Sequence, residues 1–388
     1  MLLAFVAQVL VGGDGLVMPS WPLNGALNAA FICALLLLHF LKPRFSVIKA
    51  LTKIPLALAS MAMFFSLCII AGIVPQGDRV GGIAALLKLS QITTSLPFAV
   101  AGVILMTCLG LTVLSRLWPF RLKNLPFLLN HLGLFLIING MYFGAGDFRR
   151  GMIMLSHENF VNRARDEQGR SIFLPFALKL NSFSIDHFPV ELTLLKTGSG
   201  ELAPKRVQSR FVLPAGKLQL GDWRVSIDEF LEEAREDGEG GFVGISGLGV
   251  VSAARVSAIN DTTSKQVSGW VCTRGTNTSA QSLVLNERET LLLEAPKPRQ
   301  YRSELKVKLG AGEGVKDIVV EVNHPGKLGG WQLYQASYDV RAGAHSRVSG
   351  IEVVRDPWLP VVYAGIFMLM AGSLQLLRQK SLFGGVAR

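Results

Sequence analysis

Five stretches of about 20 residues contain no Asp, Glu, Lys or Arg: 25–41 (GALNAAFICALLLLHFL), 54–74 (IPLALASMAMFFSLCIIAGIV), 97–115 (PFAVAGVILMTCLGLTVLS), 126–144 (PFLLNHLGLFLIINGMYFG) and 358–377 (WLPVVYAGIFMLMAGSLQLL). About 20 apolar residues span the roughly 30 Å hydrocarbon core of a bilayer as a helix. The pattern therefore predicts an integral membrane bundle of about five transmembrane helices, of which 25–41 is the shortest. Only 17% of the chain is charged, against about a quarter in soluble domains. That average hides two materials, because most acids and bases lie between 147 and 356. The expected organisation is an N-terminal membrane region over 1–146, a polar domain over 147–356, and a last span with its tail over 357–388.

Orientation follows from basic residues in short loops, which stay in the cytoplasm. Lys42, Arg44, Lys49 and Lys53 occupy the loop 42–53, and Arg116, Arg121 and Lys123 the loop 116–125, with no acid in either. The tail carries Arg378, Lys380 and Arg388, while the loop 75–96 mixes Asp78 with Arg79 and Lys88. Five crossings put all three basic segments on one side and the polar domain on the other. Charge and parity agree on an extracytoplasmic, periplasmic-side domain. The apolar start MLLAFVAQVLVGG is only about a dozen residues long and is followed by Asp14. It reads as an interfacial or re-entrant segment on the outer side, with a sixth span as the alternative.

The net charge of +11 excludes little by itself. Basic residues in short loops beside apolar spans serve orientation, so nucleic acid is not the expected partner. Cys33, Cys68 and Cys108 lie within apolar spans and Cys272 is alone in the polar domain. No CxxC or CxxCH motif exists, which excludes thioredoxin-like and cytochrome c chemistry in this chain.

From Phe173 onward the polar domain shows β-prone runs between turn residues: FALKLNSFSI (176–185), KLQLGDWRVSI (217–227), DIVVEVN (317–323) and WQLYQASYDV (331–340). SLVL-NERE-TLLLEA (282–295) predicts a hairpin. The expected fold is a large, mainly antiparallel sandwich or barrel-like sheet. The acidic stretch LEEAREDGEGG (231–241) reads as an exposed helix end and loop. GFVGISGLGV (241–250) matches neither a phosphate loop nor a nucleophile elbow. Asn260 and Asn277 sit in N-x-[ST] triplets. No catalytic triad, paired-carboxylate site or zinc motif is present, so no catalytic residue is assigned.

Ionisable residues inside a bilayer are costly and mark function by default. His131 lies about 7.5 Å along its span from the cytoplasmic end, and His39 two residues from the end of the first span. A neutral imidazole there pairs with a neighbouring helix, relays a proton or ligates a metal such as haem iron. Asn130 and Asn139, in the same span as His131, predict that this helix packs against protein. GAGDFRR (144–150) follows, and Arg149 and Arg150 are candidates for a haem propionate or a lipid phosphate, or a simple surface anchor. His157, His187, His324 and His345 form no metal-binding pattern.

Three spans, a large extracytoplasmic β domain and a closing span resemble the ResB (CcsB) family of System II cytochrome c biogenesis. The stretches that carry the resemblance are FFSLCIIAGIVPQ (64–76), NHLGLFLIINGMYFGAGDFRR (130–150), LPFALKLNSFSIDHFP (174–189), VEVNHPGKLGGWQLYQASYD (320–339) and DPWLPVVYAGIFMLMAG (356–372). They cover about 54–377, leaving the first span as an addition. The resemblance implies a multi-pass protein of the bacterial cytoplasmic (inner) membrane. Its partners would be a CcsA/ResC-like membrane protein, apocytochrome c and haem b, the last held transiently as substrate. The family's transmembrane histidine falls on His131, as a haem-iron ligand. The partner supplies the tryptophan-rich motif that this chain lacks, so the chain is expected to be a non-catalytic or co-catalytic subunit. The other expectation is a ResB-like anchoring or scaffold subunit of a respiratory complex without haem transfer.

Overall fold

The computed structural model describes residues 2–11, 16–76, 87–196, 205–212, 216–247, 250–275, 278–310 and 314–383. Asp14, Asp78, Arg79, Asn277 and Arg388 lie outside them. The chain divides into two compact units, Met1–Arg149 with Arg355–Arg388, and Arg150–Val354.

The first unit is helical: α1 (Leu2–Val11), α2 (Leu23–Leu41), a short α3 (Ser46–Ala50), α4 (Ile54–Ile73), α5 (Leu96–Leu117), α6 (Leu125–Gly144) and α7 (Leu359–Phe383). Five of these, α2, α4, α5, α6 and α7, are long and apolar enough to cross a membrane. Their starts are encoded locally. Pro55, Pro97 and Pro126 stand in the first turns of α4, α5 and α6, where a missing N–H costs nothing. Ser95 caps α5 by accepting from the Phe98 N–H, and Asp356 accepts from the Trp358 and Leu359 N–H groups at the head of α7. The helix α1, at about 15 Å, is too short to cross. It leans on α5, with Gln8 buried and accepting from the Leu96 N–H while Leu3 and Leu10 stay exposed.

α5 is the centre of the bundle. Half of its apolar window is buried, against 11% in each of α2, α4 and α7, whose apolar surface therefore faces outward. α6 and α7 pack backbone to backbone. A Cβ on Gly133 would lie 2.6 Å from the Gly365 carbonyl oxygen, and one on Gly365 would lie 2.6 Å from that of Gly133. Small residues at such crossings let helices approach where lipid offers no hydrophobic drive. The two asparagines of α6 both face protein, as expected. Asn130 accepts from Ser373 Oγ of α7, and Asn139 exchanges two hydrogen bonds with Asn28 of α2.

Among the described residues every strand pair of the second unit is antiparallel. One sheet has eight strands in the order β14-β13-β3-β2-β1-β17-β16-β15. Their ranges are β1 Arg149–Ser156, β2 Val161–Arg165, β3 Ser171–His187, β13 Pro298–Lys308, β14 Val315–Glu321, β15 Gly326–Leu328, β16 Trp331–Tyr338 and β17 Val348–Arg355. The edge strands β14 and β15 are joined by a tight turn carrying a Glu321–His324 bridge, so the sheet curls back on itself. Alternate residues such as Ile153, Leu155, Phe176, Leu178, Leu305, Leu333 and Val353 fill the enclosed core.

The remaining strands form a sandwich. One sheet runs β10-β9-β7-β6, with β8 beside β7, and the other β11-β12-β4-β5. These are β4 Glu191–Lys196, β5 Lys205–Phe211, β6 Lys217–Leu220, β7 Trp223–Glu236, β8 Phe242–Gly244, β9 Val251–Asn260, β10 Gln266–Cys272, β11 Ser282–Val284 and β12 Glu289–Leu293. Leu192, Leu194, Trp223, Val225, Val256 and Leu291 meet between the sheets. The 282–295 hairpin forms as expected, with Val284 opposite Thr290.

One expectation is corrected. Residues 231–236 are not a helix end but the far half of β7, paired with β8 and β9, and only 237–241 turn. Leu, Glu, Ala and Arg are good helix formers in isolation. Here the ladder to β9 and the burial of Ala234 against Phe242 and Val251 override that propensity.

Candidate functional site

His131 is half-buried on α6. Its Nδ1 lies 2.9 Å from the Phe127 carbonyl oxygen, one turn earlier. A carbonyl only accepts, so the proton sits on Nδ1 and the Nε2 lone pair is left bare. Nε2 makes no hydrogen bond among the described residues. The imidazole stacks on the Phe127 ring at 3.7 Å between centroids, and the Arg116 guanidinium from the end of α5 lies 5.0 Å from that ring. An aliphatic residue at 127 would keep the carbonyl contact but not the stack.

His39 lies near the end of α2, half-buried, edge-on to Phe40. Its Nδ1 is buried without a hydrogen-bond partner among the described residues. α2 and α6 run antiparallel, with Asn24 donating to the Phe143 carbonyl and Asn28 paired with Asn139. Farther along, Leu35 and Phe135 converge on Gly110 of α5, where a Cβ would lie 2.7 Å and 3.2 Å from them. His39 is one turn past Leu35 and His131 one turn before Phe135, each on the same face of its helix. By the 24/143 and 28/139 register His39 stands opposite position 128, so the two histidines share one level of the bundle to within about one turn. Cations sit near it too, with Arg116 at the Phe127 ring and Lys42 Nζ donating to Ser115 Oγ of α5 at 2.9 Å.

Arg149 is not brought to this level. Thirteen residues separate His131 from Gly144, about 20 Å of helix rise. Arg149 donates to the carbonyls of Gly146 and Phe148, closing the end of α6. Arg150, in the β unit, pairs with Glu352 at 2.5 Å and Glu167 at 3.5 Å, so its charge is already met.

The residue between them and α6 has a larger role than its sequence context announced. Asp147 Oδ1 accepts from the Trp21 N–H at 2.7 Å, while Oδ2 accepts from Asn24 Nδ2 at 2.7 Å and Trp358 Nε1 at 2.8 Å. One carboxylate thus ties the heads of α2 and α7 to the end of α6. Partial desolvation acts to raise its pKa, but these three donors and Arg149 prevail and hold it below the usual carboxylate value.

Within the β unit, a cavity of about 1360 Å³ opens between the curled sheet and the sandwich. Phe188, Val190 and Phe230 contribute apolar walls, and Glu232, Glu233, Arg274, Arg341 and His345 line it with charge. His345 Nε2 lies 3.2 Å from Glu233 Oε1. His187 also lines it, His157 is half-buried, and His324 reaches only Glu321, at 4.0 Å. Among the described residues no three His, Cys, Asp or Glu side chains gather as a metal site. No protein-family model and no curated protein matches this chain.

Proposed function

We propose that this chain is the haem-handling membrane subunit of a System II cytochrome c synthetase. It works with a CcsA/ResC-like partner to carry haem outward and support its attachment to apocytochrome c. The observation that carries the reading is His131, an imidazole in an otherwise charge-free span with its proton directed to Phe127 and its Nε2 lone pair open. A neutral imidazole with the other nitrogen held by a carbonyl is the form that ligates iron.

Haem is an apolar plate with two carboxylates. It enters a helix bundle only where a ligand holds the metal and cations meet the carboxylates. His131 supplies the ligand and His39, at the same level, a second nitrogen. Arg116 and Lys42 are cations near that level, whereas Arg149 and Arg150 were candidates for a propionate, a lipid phosphate or a simple surface anchor. The basic loops support a cytoplasmic side for this end of the bundle; in a bacterial inner membrane haem then loads there and leaves toward the extracytoplasmic side.

The test is an absorption spectrum of the chain purified with a CcsA/ResC-like protein. Wild type should show a Soret band that His131→Ala abolishes and His39→Ala weakens. A colourless wild-type complex, or a band indifferent to both substitutions, rejects the reading. A colourless complex retaining respiratory subunits would identify the scaffold function instead.

A further inference from the structure

The short strand β8 leaves one edge of its sheet open beside the 1360 Å³ cavity. Ile245 donates its N–H to the Glu233 carbonyl, so strand alternation turns the N–H and C=O of Gly244 away from β7. No strand pairs with that side among the described residues. Val243 and Ile245 are exposed on the same face, and Gly244 and Ile245 line the cavity. An unpaired edge with apolar side chains at alternate positions is a template for strand addition.

The cavity wall itself is of mixed charge, with Arg274 and Arg341 beside Glu232 and Glu233, but the strand next to β8 is strongly acidic. Between Asp228 and Glu239 the chain carries seven carboxylates and one guanidinium, within a protein of net charge +11. Among the described residues only Glu233 of these seven has an ion-pair partner, the imidazole of His345. Glu232, Glu236 and Glu239 are exposed, and Glu236 stands opposite Phe242 in the register of β7 and β8. The cavity exceeds the roughly 300–1,000 Å³ that small ligands occupy.

From this we infer that the open edge of β8, beside the acidic strand β7, binds an extended, lysine- or arginine-rich polypeptide segment by strand addition. Backbone groups of Gly244 pair with the segment, Val243 and Ile245 pack on its apolar residues, and the unpaired carboxylates of β7 meet its cations. The inference deepens the reading above by giving the β unit an unfolded, basic polypeptide as its ligand. It needs no haem.

The experiment uses the full chain in detergent micelles, without haem, and a fluorescent ten-residue peptide alternating Lys with Val. Anisotropy should show binding that is lost when Glu replaces Lys in the peptide. Binding should weaken about tenfold between low ionic strength and roughly 0.15 M. N-methylation of alternate peptide nitrogens should abolish binding, which separates strand addition from charge attraction alone. The triple variant Glu232→Gln, Glu236→Gln, Glu239→Gln changes only exposed side chains and should bind about tenfold more weakly. Equal binding of the Lys and Glu peptides, indifference to N-methylation, or an unaffected triple variant each overturns the inference. The haem spectrum of His131→Ala is a separate measurement, so either result can fail alone.

Discussion

The His131 ring lies on that of Phe127 while its Nδ1 is bound to the carbonyl of that same residue, so one neighbour fixes both the tilt and the tautomer of the imidazole. Phe127 in turn carries the Arg116 guanidinium. Replacing Phe127 with Leu keeps the carbonyl but removes the aromatic face. The expected result is a haem-loaded complex with an intact but shifted Soret band. Arg116→Gln removes a cation–π contact of about 0.5–2 kcal/mol and, on the haem proposal, a cation for a propionate, so haem occupancy should fall severalfold. Unchanged spectra in both variants would detach the stack from ligand binding.

The crossing of α6 and α7 tolerates no side chain at its closest point. Even Ala at Gly133 would place Cβ 2.6 Å from the Gly365 oxygen and 2.8 Å from the Leu369 nitrogen. Gly133→Ala should force the helices apart and cost about 1–3 kcal/mol, read as a lower melting temperature in detergent. Gly72, where a Cβ meets nothing within 4 Å, is the matched control and should accept Ala without loss.

Asp147→Ala leaves Trp21 N–H, Asn24 Nδ2 and Trp358 Nε1 without their shared acceptor. With its half-exposed setting discounting the charge, a loss of about 2 kcal/mol is expected. Trp358 fluorescence should report increased solvent access. Asp147→Asn should rescue poorly, because its amide nitrogen would face donors.

Glu289 couples stability to pH. Burial acts to raise its pKa, but hydrogen bonds from Trp223 Nε1, Asn286 and Lys196 overcome that and hold the carboxyl below its ordinary value of 4.5. A depressed folded-state pKa adds stability that is fully present above the unfolded value. That stability is lost as pH falls through the folded value. The sandwich should therefore loosen below about pH 4.5, seen as Trp223 exposure in fluorescence. Glu289→Gln should be less stable than wild type at neutral pH and show a smaller change on acidification.

Apolar runs made the long helices legible, since a segment such as 97–115 with no charge and about 20 residues has one stable form in lipid. Period-two stretches such as 176–185 likewise announced strands, and the turn residues of 286–289 their hairpin. The stretch 231–236 failed the same reading because its residues favour helix locally, while the partner that makes it a strand lies about twenty residues away in β9.

His131 stood out by composition alone, because a titratable ring in a charge-free span needs a reason to be there. Composition is silent on direction, however. That Nε2 is the open nitrogen, that His39 lies at its level, and that Arg150 is already spent on Glu352 follow from helix register and strand pairing. Local sequence carries hydrophobicity and period, which choose helix, strand and span. The meeting of Asp147 with Trp358 across 211 residues, or of an open strand edge with an unpaired acidic face, depends on long-range packing, and no short window of residues encodes it.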